Sequence, residues 1–330
     1  MKDHARSVSV VIPTHNRRGL LGMTLASVRA QREVQFEVVI VDDGSTDRTP
    51  RFLGEIQDQR VRVLRNERPR GVSAARNRGI AAACGDWIAF CDDDDLWAPD
   101  KLSSQLAAAR DQARLWVYTG SVNINIRNEV VAGRPPPSPD EVINLIGENN
   151  VIPGGCSSVA VHRALVERTG GFDEGLSAMA DWDLWLRLSR NGLPAAVLRP
   201  LVGYRVHDAN LSLDRERMER EFKEMKRRHP SADPGNFYRY LGWWCMRAGR
   251  RREAISLLLK AGRARSSNYP WREVISDLTQ VALTVAETKG IRLRHRTRKA
   301  ARPTHDDWLA EGARWIGEVR PNEGPGELDQ

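Results

Sequence analysis

Long apolar runs are missing from this chain of 330 residues. The longest, Val8-Ser9-Val10-Val11-Ile12 and Glu37-Val38-Val39-Ile40-Val41, are strand-sized, far short of the roughly 20 apolar residues that a membrane-spanning helix needs. The first residues, Met1 to Arg6, lack the apolar stretch of a secretory signal and lead directly into a strand, so a cytoplasmic location is expected. Cysteine is scarce. Cys84, Cys91, Cys156 and Cys245 show neither zinc-ligand nor redox spacing, which leaves reduced thiols as the expectation. A Gly-x-Gly-x-x-Gly turn after the first strand is absent, and so is a phosphate-binding P-loop. Their absence argues against nicotinamide dehydrogenases and P-loop kinases.

Charge is present but uneven. The formal net charge is +8, and residues 209–330 hold 25 Lys+Arg against 17 Asp+Glu, so the first two thirds are neutral and the last third carries the whole excess. The densest basic stretch, Ile291-Arg-Leu-Arg-His-Arg-Thr-Arg-Lys299, has no interleaved aromatics, so base stacking is not indicated and nucleic acid is not an expected partner. Peripheral contact with anionic lipid at the inner face of the membrane is the alternative that such a stretch supports, at about 1 kcal/mol per basic residue near the surface.

Over the first hundred residues strand and helix patterns alternate, as in a mostly parallel sheet with crossover helices. Strands are expected at Val8 to Ile12, Glu37 to Val41, Val61 to Leu64 and Asp86 to Cys91, with Pro13 ending the first. Helices are expected around Leu21 to Val28, Arg51 to Gln57 and Val72 to Cys84, and from Pro99 onward. Further strands are read at Leu115 to Thr119, Val122 to Ile126, Ser157 to Val161 and Ala195 to Val206, with a helix over Asp181 to Arg190. From Asp214 the chain reads as helical and basic. Met218, Phe222 and Met225 form an apolar stripe there, and Leu241 to Ala261 suggests a single helix-turn-helix pair.

Three polar clusters fall at strand ends: Pro13-Thr14-His15-Asn16-Arg17, Asp42-Asp43-Gly44-Ser45 and Asp92 to Asp95. Ligands of open α/β sheets gather outside the carboxyl ends of the strands. Four successive carboxylates behind the apolar Ile88-Ala89-Phe90 repel one another unless a cation relieves them. A hard divalent ion binds one or two carboxylates together with phosphate oxygens.

These segments resemble the family 2 glycosyltransferases. The resemblance is carried by Val-Ser-Val-Val-Ile-Pro-Thr-His-Asn-Arg, Val-Val-Ile-Val-Asp-Asp-Gly-Ser-Thr-Asp, Gly-Val-Ser-Ala-Ala-Arg-Asn-Arg-Gly and Gly-Asp-Trp-Ile-Ala-Phe-Cys-Asp-Asp-Asp-Asp-Leu-Trp. Further on, Gly170-Gly171-Phe172-Asp173-Glu174, Asp181-Trp182-Asp183-Leu184-Trp185 and Tyr204-Arg205-Val206-His207 extend it to about residue 212. The resemblance implies an α/β fold of GT-A type, a Rossmann-like and mostly parallel sheet flanked by helices, with an α-helical C-terminal extension. The expected division is a glycosyltransferase domain over 7–212 (nucleotide-sugar half 7–113, acceptor half 114–212) and a basic helical extension over 213–330.

The resemblance also implies a nucleotide diphosphate sugar donor, a UDP-sugar foremost, and a divalent cation, Mn²⁺ or Mg²⁺. The acceptor would be a glycan or a lipid-linked sugar in polysaccharide synthesis. Pro13, Thr14, Asn16, Asp43, Arg76, Asn77, Asp92 and Asp93 match nucleotide-sugar positions. Asp94 and Asp92 match the metal-binding DxD motif, with His207 a further candidate near the metal. Asp181 matches the catalytic base of an inverting displacement. Ala180 stands where the family commonly has Glu, which leaves a non-catalytic nucleotide-sugar scaffold with a partner-binding tail as the rival reading.

Overall fold

A computed structural model describes residues 8–207, 210, 214–247, 249–264, 275–278 and 305–319. The basic stretch 291–299 and the last dozen residues lie outside the described residues. The chain divides into two compact units, one within residues 1–144, 151–206 and 303–330, the other within 145–150 and 207–302.

The first unit begins with β1 (Val8–Thr14), α1 (Arg18–Arg29), β2 (Phe36–Asp42), α2 (Thr49–Gly54), β3 (Val61–Arg65), α3 (Val72–Ala82) and β4 (Trp87–Phe90). There follow β5 (Leu96–Trp97), α4 (Lys101–Asp111), β6 (Trp116–Ile124), β7 (Val130–Arg134) and α5 (Pro139–Leu145). After a 3₁₀ turn at Gly155–Ser158 come β8 (Val159–His162), α6 (Arg163–Arg168), α7 (Ala180–Ser189) and β9 (Ala195–Arg205). Among the described residues one sheet runs in the order β3-β2-β1-β4-β8-β6-β9-β5, with β7 paired to β6. Strands β1 to β4 are parallel to one another, and β8 runs antiparallel to both β4 and β6.

Burial explains these elements. Val38 to Val41 of β2 are all inaccessible to solvent, as expected of a parallel strand covered on both faces. Leu21, Leu25 and Val28 repeat at helical spacing along α1 and are buried, each contributing about 1.5–3 kcal/mol. Helix α3 approaches β1 at Gly79, where a Cβ would lie 2.3 Å from Val11 Cγ1. Gly79→Ala is therefore expected to cost about 1–3 kcal/mol through overpacking, read as a lower urea midpoint with an unchanged m value.

Several boundaries differ from expectation for local reasons. Pro13 does not end β1. The strand continues to Thr14 because β4 pairs only as far as Val11, so Pro13 faces a single strand neighbour, Val41 of β2. The two strands expected over 115–126 are one strand, β6, whose pairing with β9 shifts register on both sides of Gly120. Helix α4 starts two residues after Pro99, beyond Asp100. Strand β5, too short to leave a sequence pattern, pairs antiparallel with Val202 and Gly203 of β9 directly after the acidic run.

The second unit holds α8 (Arg215–Arg228), α9 (Pro234–Arg247) and α10 (Arg251–Arg263). Met218, Phe222 and Met225 are buried as their spacing suggested, and the Phe222 and Phe237 rings stack at 4.0 Å. The extension drawn over 213–330 is not one block. Its last described helix, α11 (His305–Val319), belongs to the first unit, where Trp308, Trp315 and Ile316 join the core formed with Val122, Ile124, Leu201 and Val202. The cause is complementary shape. A Cβ on Gly120 would lie 2.4 Å from the Trp308 ring, and one on Gly312 would lie 2.8 Å from Val122. Trp315 Nε1 donates to Pro200 O at 2.7 Å.

Candidate active site

After β1 the chain builds outward through β2 and β3, then crosses back to place β4 on the other side of β1. That reversal falls at the carboxyl ends of β1 and β4, the usual ligand position in such sheets. All three polar clusters lie around it. Asn16 adopts φ 53°, a left-handed conformation that Asn tolerates. Its Oδ1 accepts from the N–H groups of Thr46 (2.7 Å) and Asp47 (3.2 Å), and its own N–H donates to Ser45 Oγ at 2.9 Å. Asn16 thus ties the loop after β1 to the loop after β2.

Asp43 is buried and accepts from Asn66 Nδ2 (2.6 Å), Arg70 N (2.9 Å) and Gly71 N (2.8 Å). Its carboxylate holds the loop that enters α3. Asp42 pairs with Arg65 and accepts from Ser45 N. Pro13 is a buried strand residue, and Thr14 Oγ1 donates to Asp93 Oδ2 at 2.7 Å.

The acidic run separates into distinct environments. Asp92 Oδ1 accepts from Arg76 Nη2 at 2.5 Å, and Asp94 Oδ2 pairs with Arg17 Nη1 at 3.2 Å. Asp93 is pushed up to about 7 by burial and by the neighbouring Asp94 carboxylate. Asp95 is wholly buried, and burial together with Asp94 raises its pKa as well. Its Oδ1 accepts the Arg205 N–H at 2.8 Å.

Among the described residues no three His, Cys, Asp or Glu side chains converge into a ready-made metal cluster. The donor chemistry nevertheless fits a hard divalent cation. Asp92 and Asp94 are half-buried oxygen donors, each compensated here by a guanidinium, and a diphosphate would supply the remaining oxygens.

Asp181 is the second residue of α7, whose N-cap is Met179. The carboxylate sits in the first helical turn, where the helix dipole favours its ionised form. Its Oδ1 accepts from Trp182 N at 2.7 Å. Gly155, at φ +52°, faces it: a Cβ there would meet Asp181 Oδ2 at 3.7 Å and the Tyr204 ring at 3.9 Å. Arg76 is 6% exposed; it is bonded to Asp92 and also feels the charge of Asp181. Ala180 is fully buried; its methyl packs in the interior.

Asn77 has a different task from lining the ligand position. It donates to Phe172 O and accepts from Phe172 N, both at 2.8 Å, and so clasps the Gly170–Glu174 loop to α3. His207 opens the second unit, where its N–H donates to Asn210 Oδ1 at 2.6 Å.

Sequence reasoning passed over three participants. Ser157 Oγ accepts from Asp92 N at 2.9 Å, Arg17 meets Asp94, and Arg205 supports the acidic run from β9. Ser157 leaves no signal in sequence, since it meets Asp92 only through the pairing of β4 with β8. Lys101 lies beneath. It is fully buried, 3.7 Å over the Trp97 ring, and donates to Gln105, which in turn donates to Ser158 O. Burial pushes its pKa down to about 7. An unfolded lysine titrates near 10.4. Between about pH 7 and pH 10 the unfolded chain therefore binds more protons, and stability should rise with pH by at most about 1.4 kcal/mol per unit. Urea midpoints from pH 7 to 9 test this, and Lys101→Met should flatten the slope.

The fold is that of the GT-A glycosyltransferases. The family model described as Glycosyl transferase family 2 matches residues 9–168. Among the chain's relatives is the Escherichia coli UDP-Glc:alpha-D-GlcNAc-diphosphoundecaprenol beta-1,3-glucosyltransferase WfgD, 28% identical over 67% of this chain and 83% of that protein. Similar solved structures include S. aureus TarS 1-349 in complex with UDP-GlcNAc, with TM-score 0.52, 17% identity, and coverage of 87% of this chain and 93% of that one. Another is the mannosyltransferase PcManGT from Pyrobaculum calidifontis in complex with GDP-Man and Mn²⁺, with TM-score 0.51, 18% identity, and coverage of 94% and 85%. No described helix is long and apolar enough to cross a membrane.

Proposed function

We propose that the protein transfers a sugar from a UDP-sugar to the hydroxyl of a lipid-linked or growing glycan acceptor, with inversion, in the synthesis of a surface polysaccharide. What supports this is Arg76, whose Nη2 donates to Asp92 Oδ1 at 2.5 Å and whose buried guanidinium also interacts electrostatically with Asp181. The donor and acceptor classes are supported by WfgD, whose name specifies UDP-glucose and a diphosphoundecaprenol-linked sugar, and by the UDP-GlcNAc complex of TarS.

In this reading Thr14, Asn16 and the loop held by Asp43 form the nucleotide side of the site. Asp94 and Asp92 would hold a divalent cation, Mn²⁺ or Mg²⁺, which would supply Lewis-acid neutralisation of the diphosphate leaving group. Asp181 takes the proton from the acceptor hydroxyl as that oxygen attacks the anomeric carbon from the face opposite the diphosphate. Arg76 and Arg17 balance the carboxylates before the donor arrives. The reading places catalysis in the cytoplasm at the inner membrane face, with the basic segment 291–299 toward anionic lipid.

A thermal-shift panel of UDP, GDP and their sugars, each with and without Mn²⁺, tests the donor. Ligand at a hundredfold excess over Kd stabilises by about 2.7 kcal/mol. The expected result is a rise with UDP and Mn²⁺ together that exceeds every GDP combination. Equal or larger shifts with GDP would overturn the choice of base, and no shift with any nucleotide would overturn the donor class.

A further inference from the structure

We infer that Arg205 is a positioning residue for the metal-binding turn, a buried clamp that sets where Asp94 points. The guanidinium is wholly inaccessible to solvent, an unusual place for an arginine. Its bonds explain the placement. Nε donates to Asp94 O at 2.7 Å, Nη1 donates to Asn125 O at 2.8 Å, and the backbone N–H donates to Asp95 Oδ1 at 2.8 Å. One residue at the end of β9 therefore grips two successive residues of the acidic run and braces itself on the turn after β6.

The run is also fixed on its other flank, where the Asp92 N–H donates to Ser157 Oγ. Immediately beyond it, Leu96 and Trp97 pair with Gly203 and Val202 of β9. Asp92 and Asp94, the half-buried members, thus project from a turn held at both ends, and Asp95 serves as the anchor that Arg205 engages. Tyr204, the neighbour of Arg205, approaches Gly155 beside Asp181. The end of strand β9 therefore grips the acidic turn and, through Tyr204, borders the same glycine that Asp181 borders. Burying a guanidinium without full compensation costs several kcal/mol, a cost that a stabilising role alone could avoid with an apolar side chain. Control of carbonyl and carboxylate direction at Asp94 and Asp95 requires donors.

This inference rests on the proposed nucleotide and cation binding, and the test separates the two. UDP binding to the full-length wild type, Arg205→Met and Arg205→Lys is measured calorimetrically with EDTA and with Mn²⁺, alongside thermal midpoints. Wild type is expected to bind more tightly with Mn²⁺; if it does not, the cation reading fails and the clamp with it. Given that enhancement, folded Arg205→Met should lose at least tenfold of it while metal-free UDP affinity stays within about twofold. Arg205→Lys should keep an intermediate enhancement, since one ammonium can serve Asp94 O while losing Asn125 O. Undiminished Mn²⁺ enhancement in either folded variant overturns the clamp. If Arg205→Met does not fold, the Lys variant decides alone: a reduced enhancement supports the clamp and an unchanged one refutes it.

Discussion

Asp181→Asn is expected to lower kcat by roughly 10²–10⁴-fold, the usual contribution of a general base, while UDP affinity stays close to that of the wild type. The amide is isosteric and keeps an oxygen to accept from Trp182 N, so the first turn of α7 is preserved. What it loses is the ability to take a proton. In the proposed reading the donor is held at the ends of β1, β2 and β4, so binding should be indifferent to the change. Transfer to a lipid-linked acceptor analogue, followed by product formation in a single turnover and set beside calorimetry with UDP, gives the two numbers needed. Transfer within a few fold of wild type would remove Asp181 from the chemistry and would return the scaffold reading to favour.

The second large effect is at Asp94. Asp94→Ala should weaken UDP binding in Mn²⁺ by at least 10–100-fold, a loss already seen when groups merely supporting a ligand are changed. Binding in EDTA should change little. The side chain is partly exposed and contacts Arg17, so its removal opens no core cavity, and global stability should fall by less than about 1 kcal/mol. Its loss should also let the Asp93 pKa fall, because Asp94 is one of the groups that raise it. An Asp94→Ala protein whose UDP affinity still responds to Mn²⁺ would show that the cation sits elsewhere.

Much of the site was legible because it sits at the ends of strands whose apolar runs are unmistakable. Val38 to Val41 could only be an interior strand, so the carboxylates that follow it had to lie at a sheet edge. The same reasoning placed Asp92 to Asp95. What could not be read was which partner each polar group meets across the sheet. The family resemblance put Asn77 at a nucleotide-sugar position, whereas its amide bonds to Phe172. Ser157 and Arg205 reach the acidic run only through strand pairings between residues more than sixty positions apart. The fate of α11 was hidden for a related reason: a helical stripe announces that it will be buried but does not say against what. Gly120 and Gly133 lie against Trp308, and Gly203 against Trp315, and nothing in the sequence pairs them.

That last packing has a practical side. A fragment cut where the family resemblance fades, near residue 212, would leave behind the helix whose two tryptophans roof over β6 and β9. The bared groove would be lined by Val122, Ile124, Leu201 and Val202, an oily trough on a sheet that readily recruits copies of itself. Trimming the gene to its recognisable part should thus yield a sticky, oligomerising product, whereas keeping the tail through Val319 should yield a well-behaved one.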